Sequence, residues 1–265
     1  MIIDPDLAKT CCVTSYSSDL VSLLLGESYH PGGLTLTRRL LDLLGCTPGE
    51  RLLDVASGRG ATALLAALEY GAQVDGVDLA PGNATLAAGS AASRGLDQQV
   101  RFHLGDAECL PFPDSVFDLA VSECALCTFP DKPAATRELA RVVRPGGLVG
   151  ITDVTAERTR LPDELTTVAA WVACIADARP AEEYASLLNE AGLWVRTVED
   201  HRPAVQQMVD QISARLELLR LTAPRRLDEL RLDPDRSRRV LHAARQAILE
   251  GTIGYTLIVA EKPCD

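Results

Sequence analysis

The chain has 265 residues, which suits one large domain or one domain with an appendage. Its 26 Lys and Arg residues against 37 Asp and Glu residues give a formal net charge of −11, which disfavours binding to a nucleic-acid phosphate backbone. No apolar run of about 18 residues occurs, so no membrane span is expected. The amino-terminal sequence lacks the basic and apolar regions of a secretory signal. We therefore expect a cytoplasmic protein with reduced thiols.

Short apolar runs alternate with helical periods from about residue 50 onward. Strands are predicted at 51–56, 72–79, 100–106, 117–123 and 146–154. Helices are predicted at 61–70, 82–94 and 132–143, the last of them ended by the sequence RPGG. This alternation is typical of a parallel sheet with helices on both faces.

The alternation loosens in the last part of the chain. Helices are predicted there at 162–178, 181–191, 204–221 and 235–250. Two further strands are predicted at 194–200 and 253–263. The predicted fold class is therefore α/β, a doubly wound, mostly parallel, seven-stranded sheet with helical additions.

The segment LLDVASGRGATAL combines a strand, a glycine turn and the start of a helix. Gly58 and Gly60 allow the backbone to turn tightly and to approach a ligand closely, because a Cβ there would clash. The free N–H groups at the start of the helix favour an anionic group. One such turn is weak evidence for a particular ligand, because a dinucleotide site would look similar. The GxGxxG spacing of dinucleotide sites is, however, absent here.

Two further strand ends carry carboxylates. Asp78 ends the second predicted strand, 20 residues after Gly58, where a carboxylate typically binds ribose hydroxyls. The third predicted strand runs into GDAECLPFPD, which places Asp106 and Ala107 at the next loop. Capping and turn roles remain open for Asp54 and Asp106 individually.

Four landmarks in order, DVASGRG, VDGVDLAP, GDAECLPFPD and RVVRPGG, resemble the class I S-adenosylmethionine-dependent methyltransferases. The resemblance implies a Rossmann-like fold and S-adenosylmethionine as the cofactor. It implies that Gly58 and Gly60 face the methionine part, that Asp78 binds the ribose, and that Asp106 and Ala107 border the adenine. The implied cofactor-binding residues are Asp54, Ser57, Gly58, Gly60, Asp78, Leu79, Asp106, Ala107 and Glu123.

The chain contains eight cysteines, at positions 11, 12, 46, 109, 124, 127, 174 and 264. Only Cys124 and Cys127 form a CxxC pair, so a disulfide framework and a structural zinc site are both disfavoured. Thiolates instead suit soft, thiophilic atoms. A phenol or amine acceptor would call for a general base, and His30 is the histidine expected near the site. A role at the start of a helix is equally open for His30.

Three segments resemble the arsenite methyltransferases: LAKTCCV at 7–13, SECALCTFPDK at 122–132 and WVACIADA at 171–178. The resemblance implies that Cys124 and Cys174 bind trivalent arsenic, that Cys11 or Cys12 supplies a further thiolate, and that these cysteines are catalytic. Cys127 is an additional candidate ligand. Arsenic held by thiolates from separate segments would aim its lone pair at the methyl carbon. The resemblance also implies a thiol reductant of the glutathione or thioredoxin type.

This sequence departs from the arsenite methyltransferase pattern at several places. In the glycine loop, that family has Gly in place of Ala56 and an acidic residue in place of Ala61. After the fourth strand it has Asn in place of both Glu123 and Cys127, and it has Gly-Gly in place of Ala176-Asp177. These departures bear on the identity of the substrate more than on the identity of the cofactor. Cys46, Cys109 and Cys264 are interpreted as small buried apolar residues. For Cys109, packing against the cofactor is an open alternative.

The expected organisation has three parts: a cysteine-bearing, helical lid at 1–45, a cofactor-binding core at 46–160, and substrate-side helices with the last strands at 161–265. The predicted function is methylation of trivalent arsenic by in-line displacement, with a small-molecule or metalloid substrate and neither nucleic acid nor membrane as partner. One alternative is methylation of another small molecule, either a natural product or another thiophilic element. A low-turnover metalloid-binding protein is the other, and the intact glycine loop argues against it.

Overall fold

A computed structural model describes residues 9–10, 13–14, 24, 29–166, 175, 177–223, 225 and 233–264. Three predicted site residues, Cys11, Cys12 and Cys174, lie outside the described residues. Most of the helix predicted at 162–178 also lies outside them. Near its two ends the prediction is wrong, because Asp163–Leu165 forms a short 3-10 turn and residues 177–180 are not helical.

The first part of the described chain alternates helices and strands. The elements are α1 (Gly33–Leu43), β1 (Arg51–Val55), α2 (Ala61–Leu65, continued as a π-helix over Ala66–Tyr70), β2 (Gln73–Asp78), α3 (Pro81–Ser93), β3 (Val100–Leu104), β4 (Phe117–Glu123), α4 (Lys132–Val142) and β5 (Val143–Ala156). The strands and helices predicted between residues 51 and 154 all form, with ends shifted by a few residues. Helix α1 was not predicted as a separate element.

The remaining elements complete the sheet and add two long helices. They are α5 (Ala181–Glu190), β6 (Trp194–Asp200), α6 (Arg202–Thr222), α7 (Pro234–Leu249) and β7 (Ile253–Glu261). The seven strands lie in the order β3-β2-β1-β4-β5-β7-β6. Strand β7 runs antiparallel to both β5 and β6, and the other pairs are parallel. The prediction of a mostly parallel seven-stranded sheet is confirmed.

The strand order places the candidate site. Strand β1 lies between β2 and β4, so the chain leaves β1 toward one side of the sheet and later returns to its other side. In open α/β sheets, ligands bind outside the carboxyl ends of the strands at such a switch point. The loops after β1, β2, β3 and β4 therefore converge at one edge of the sheet.

Helix α1 packs closely on the sheet near this edge. Its buried Leu40 approaches β5 at Gly150, where an added Cβ would lie only 2.6 Å from Leu40 Cδ1. Leu36 and Leu41 extend the same buried face of α1. Burying an aliphatic side chain of this size contributes about 1.5–3 kcal/mol, so this face anchors α1 beside the switch point. Within the described part of the chain, no helix is both long and apolar enough to cross a membrane.

Replacing Gly60 by Ala is expected to destabilise the fold more than replacing Gly95 by Ala. Both glycines have left-handed φ values, 82° and 70°, so alanine at either position costs about 1–2 kcal/mol. At Gly60 the new Cβ would also lie 2.5 Å from Cζ of Phe102, whereas at Gly95 it would meet no atom within 4 Å. Overpacking adds about 1–3 kcal/mol at Gly60. Free energies of unfolding in urea measure both losses, and equal values would contradict the packing argument.

Candidate active site

One cavity opens at the carboxyl edge of the sheet, and most of the predicted site residues that the structure describes line it. These are Asp54, Ser57, Gly58, Asp78, Leu79, Asp106, Ala107, Glu123 and Cys124. Gly60 and Cys127 are not among the lining residues. The structure therefore brings together side chains from four loops that are far apart in the sequence.

The loop after β1 is shaped by left-handed backbone positions. Ala56 and Gly58 have φ values of 59° and 54°. A Cβ added at Gly58 would meet no protein atom within 4 Å, so the absence of a side chain leaves space beside the cavity. Gly60 is required for a different reason, since a Cβ there would strike Phe102. The need for a ligand to approach the backbone closely can explain why glycine occupies position 58. At position 60, internal packing against Phe102 explains the glycine.

The Asp78 carboxylate ties this loop to the end of β2. Its Oδ2 accepts the backbone N–H of Gly58 at 2.8 Å. Its Oδ1 accepts the backbone N–H of Ala80 at 2.8 Å and the Asn83 amide at 3.3 Å. A carboxylate has about four lone-pair sites, so it keeps capacity for a further donor such as a ribose hydroxyl.

Asp54 is a buried carboxyl group that faces the cavity with one oxygen unsatisfied. Its Oδ2 finds no hydrogen-bond partner among the residues the structure describes. Burial raises the pKa of Asp54 to about 8, and the nearby Glu123 charge adds to the rise. An unsatisfied buried acceptor is costly, so Asp54 favours a ligand with a positively charged donor at this point.

Glu123, at the end of β4, joins several elements around the cavity. Its Oε1 accepts hydrogen bonds from Thr62 at 2.7 Å and Thr37 at 3.0 Å. Its Oε2 accepts one from Thr152 at 3.3 Å. These hydroxyl groups from α1, α2 and β5 use most of the acceptor capacity of the carboxylate. Glu123 therefore organises the cavity wall, and its predicted direct contact with the cofactor stays a prediction.

His30 also lines the cavity, and the side chain is only 7% exposed. Its Nδ1 lies 3.3 Å from the carbonyl oxygen of Pro31 and 3.7 Å from Glu123 Oε2. Its Nε2 lies 3.3 Å from the Thr37 hydroxyl. Because protein groups engage both ring nitrogens, the geometry favours a structural role near the start of α1 over general-base catalysis.

Residues 124–130, which we call the acceptor wall, follow directly after β4. Cys124 has a left-handed φ of 54°, a conformation that costs a non-glycine residue about 1–2 kcal/mol. Its backbone N–H donates to the Thr152 carbonyl at 2.7 Å, which fixes the turn. The wall contributes to the cavity lining through Cys124, Ala125, Thr128, Phe129 and Pro130.

The two thiols of the CxxC pair have different environments. Cys124 is half-buried and lines the cavity. Cys127 is 1% exposed and belongs to the hydrophobic core, while its backbone N–H donates to Asp153 Oδ2 at 2.9 Å. Their sequence spacing therefore does not bring them to one ligand. No group of three or more His, Cys, Asp and Glu side chains within the described ranges is arranged to hold a metal ion.

The other described cysteines only partly fit their interpretation as buried apolar residues. Cys46 is buried, and burial raises the pKa of its thiol to about 11. Cys109 and Cys264 are exposed, so the interpretation is wrong for them. Cys109 lies in the turn that follows Asp106, and Cys264 follows the end of β7, where no core is available to cover either thiol.

Lys9 and Glu108 are site residues that the sequence did not reveal. Lys9 Nζ lies 2.7 Å from Asp106 Oδ2 and also pairs with Glu108. All three residues, together with Val13, line the cavity. Lys9 and Asp106 are separated by 97 positions, and no sequence pattern connects them. The ion pair anchors part of the amino-terminal segment beside the loop predicted to border the adenine.

Comparison with known proteins agrees with this geometry. A family model described as "Methyltransferase domain" matches residues 53–151. The chain is 28% identical to 27-O-demethylrifamycin SV methyltransferase of Amycolatopsis mediterranei, over 93% of this chain and 94% of that protein. It is 34% identical to methyltransferase GfsG of Streptomyces halstedii, over 61% of this chain and 59% of that protein. The arsenite methyltransferase of Halobacterium salinarum is also 34% identical, but the match covers 55% of this chain and only 37% of that protein.

Solved structures share the fold over nearly the whole chain. Phosphoethanolamine N-methyltransferase 2 of Haemonchus contortus, solved with S-adenosylhomocysteine, gives a TM-score of 0.80 at 20% identity, covering 97% of this chain and 60% of that protein. Residues 53–151 match a methyltransferase domain, and the chain has the Rossmann-like fold of the class I S-adenosylmethionine-dependent methyltransferases. The [4+2]-cyclase SpnF also gives a TM-score of 0.74 at 24% identity, over 98% of this chain and 96% of that protein. The fold of this methyltransferase therefore does not determine which acceptor it uses.

The residues present fit S-adenosylmethionine, the cofactor of this family. The unsatisfied Asp54 Oδ2 suits the cofactor's ammonium group, and the open space at Gly58 suits close contact with the backbone. Five carboxylates line the cavity, namely Asp54, Asp78, Asp106, Glu108 and Glu123. The basic lining residues are Lys9 and Arg59. Acidic side chains therefore outnumber basic ones, which favours a ligand that carries both an ammonium and a sulfonium charge.

The raised pKa of Asp54 predicts that the methyltransferase releases a proton when the cofactor binds. At about pH 6 the carboxyl group is mostly protonated, and pairing with an ammonium group favours its ionised form. Cofactor affinity should therefore increase up to about pH 8, by at most about tenfold per pH unit. Calorimetry in buffers of different ionisation enthalpy measures the number of protons released.

Asp54→Asn should weaken cofactor binding about ten- to hundredfold at pH 8, through loss of a charged hydrogen bond. Asp97→Asn, at an exposed position, is the matched control and should not change cofactor binding.

The raised pKa also means that Asp54 lowers the stability of the ligand-free protein as the pH rises from about 4 to about 8, because the Asp54 carboxyl group loses its proton at lower pH in the unfolded chain than in the folded one. Asp54→Asn should remove that decline, and an unchanged pH profile of cofactor binding would contradict the assignment.

Proposed function

We propose that this methyltransferase transfers the methyl group of S-adenosylmethionine to a trivalent arsenical bound by Cys124. In this proposal Cys174 and one of Cys11 and Cys12 supply the further thiolates. The observation that carries it is the position of Cys124, a half-buried thiol that lines the same cavity as the loops predicted to bind the cofactor. A thiolate at this position suits a soft acceptor atom better than an oxygen or nitrogen acceptor.

The lining of the acceptor wall supports a nucleophile that needs no general base. Its described lining residues are Cys124, Ala125, Thr128, Phe129 and Pro130, none of which carries an imidazole or a carboxylate. Two cavity-lining groups of this kind, His30 and Glu123, are engaged by protein partners. An oxygen or nitrogen acceptor usually needs help to lose its proton, whereas trivalent arsenic already presents a lone pair.

Described neighbours of the other cysteines support their proposed roles. Lys9 and Val13, which flank Cys11 and Cys12 in the sequence, both line the cavity. Asp177, three positions after Cys174, lies against Lys132, which also donates to the Phe129 carbonyl of the acceptor wall. The acidic lining of the cavity disfavours an anionic acceptor and is compatible with a neutral arsenical.

The proposed chemistry is an in-line displacement. When bound, the cofactor supplies a methyl group on a sulfonium that leaves as a neutral thioether. The arsenic lone pair forms the new As–C bond while the C–S bond breaks, which leaves the arsenic pentavalent. The protein holds the arsenical, aims its lone pair and excludes water. A thiol reductant of the glutathione or thioredoxin type, available in the cytoplasm, would return the product to the trivalent state.

A second candidate function is O-methylation of a natural product. It is favoured by the match to 27-O-demethylrifamycin SV methyltransferase, which extends over 93% of this chain. This function would require a proton acceptor in the cavity. Among the described residues that line the cavity, His30, with its Nδ1 3.7 Å from Glu123 Oε2, is the candidate for that role.

Arsenic methylation should depend on the proposed ligand thiols. With labelled S-adenosylmethionine, arsenite or methylarsenite and glutathione, Cys124→Ser and Cys174→Ser should each lower kcat/KM about a hundredfold, because a misplaced acceptor loses its alignment. Cys264→Ser is the matched control, since that thiol is exposed and lies near Gly146, at the opposite edge of the sheet. The control should keep the wild-type rate.

Methylation of arsenic that ignores both substitutions would rule out the proposal. Transfer to a hydroxylated aromatic acceptor that is insensitive to Cys124→Ser but is lost in His30→Gln would instead establish the second function. Mass spectrometry of the methylated products distinguishes the two outcomes.

A further inference from the structure

A buried lysine lies directly behind the acceptor wall, in the first turn of α4. Lys132 is only 3% exposed, although lysine is almost never fully buried unless it is paired. A positive charge in the first turn of a helix also interacts unfavourably with the helix dipole. Burial and the helix dipole therefore both destabilise the charged form of Lys132, and the surrounding residues must offset both effects.

A buried carboxylate provides the compensation. Lys132 Nζ lies 2.5 Å from Asp177 Oδ2 and donates to the Phe129 carbonyl oxygen at 3.0 Å. Asp177 is itself only 8% exposed. Its Oδ1 lies 3.3 Å from guanidinium nitrogens of Arg158 and of Arg179, which are partly exposed. Removing Asp177 alone would leave Lys132 as a buried charge without a counterion, whereas the two partly exposed arginines can be solvated by water.

The ion pair connects two segments that come from different strands. Phe129 belongs to the acceptor wall, which follows β4 and begins at Cys124. On the Asp177 side of the ion pair, two hydrogen bonds reach β5. The Arg179 carbonyl accepts the Ala156 N–H at 3.2 Å, and the Tyr184 hydroxyl donates to the Val154 carbonyl at 3.2 Å. These bonds fix the residues around Asp177 to the carboxyl end of β5. The pair therefore fastens the acceptor wall to the neighbouring strand of the sheet.

Neither member of the pair contacts the cofactor side of the cavity. Lys132 and Asp177 are not among the lining residues, whereas Phe129, which Lys132 holds through its carbonyl group, is one of them. Asp177 also occupies a position at which the sequence departs from the Gly-Gly pattern of the arsenite methyltransferases. The pair is thus a feature of this chain that the proposed function does not by itself explain.

We propose that Lys132 and Asp177 are positioning residues that hold the acceptor wall, and with it the Cys124 thiol, in alignment with the methyl donor. The inference rests on the proposed function only for the identity of the acceptor. Loss of the pair should alter the environment of Cys124 and the binding of the acceptor, while cofactor binding is retained.

The test uses the double variant Lys132→Met/Asp177→Leu, which replaces both charges by apolar side chains. Replacing a buried ion pair as a whole is usually tolerated by the fold, whereas removing one partner is not. The Cys124 thiol in this variant should react with iodoacetamide faster than in the wild type, by peptide mass spectrometry, while Cys264 reacts at an unchanged rate. The KM for the arsenical should rise about tenfold or more through lost alignment, with the Kd for S-adenosylmethionine unchanged.

Two further variants serve as controls. Lys132→Arg keeps the charge and should retain most of the wild-type reactivity of Cys124. Arg245→Met/Asp210→Leu removes an exposed ion pair of 2.7 Å between α6 and α7, and should affect neither Cys124 nor the KM for the acceptor.

The outcomes separate this inference from the proposed function. If the wild-type enzyme does not methylate arsenicals, the proposed function fails, and the reactivity of Cys124 still tests the ion pair. An unchanged reaction rate of Cys124 in the double variant would overturn the inference. A double variant that loses its fold, as measured by circular dichroism, would also overturn it, because the pair would then serve global stability.

Discussion

The Asp78 carboxylate is the contact on which the cavity depends. It accepts the backbone N–H of Gly58 from the loop after β1 and that of Ala80 from its own loop, so the loops after β1 and β2 cannot separate without breaking the hydrogen bond to Gly58. Strand pairing sets the distance between these loops, because β1 and β2 are parallel neighbours in register. The glycine loop is thus held in a shape that suits a ligand before any ligand arrives, which lowers the cost of ordering the loop on binding.

Glu123 performs the corresponding role on the other side of β1. It takes hydroxyl donors from α1, α2 and β5, and it directly precedes Cys124 in the sequence. The position of Cys124 is therefore fixed from two directions, by this network and by the Lys132–Asp177 pair behind the acceptor wall. The cofactor side and the acceptor side of the cavity share a few polar side chains that link elements distant in the sequence.

Local patterns predicted the fold well, and most of the described residues that they singled out after β1, β2 and β3 line the cavity. The strands that carry the site are short apolar runs whose ends coincide with carboxylates such as Asp54 and Asp78, and both period and position are visible in the sequence. The contacts of Lys9 with Asp106 and of Lys132 with Asp177 were not predictable, because only the folded sheet brings these residues together. The two thiols of the CxxC pair separate for a related reason: the turn after β4 places Cys124 on the cavity lining and Cys127 in the core.

The two exposed thiols, Cys109 and Cys264, have a practical consequence. Any soft electrophile or metalloid added to the protein meets these sulfurs in solvent as well as the Cys124 sulfur in the cavity. The stoichiometry of bound arsenic measured on the intact chain would then count surface adducts together with the catalytic complex. Alanine at both positions would remove these surface adducts from the count, and would also remove a route by which oxidised copies crosslink during purification.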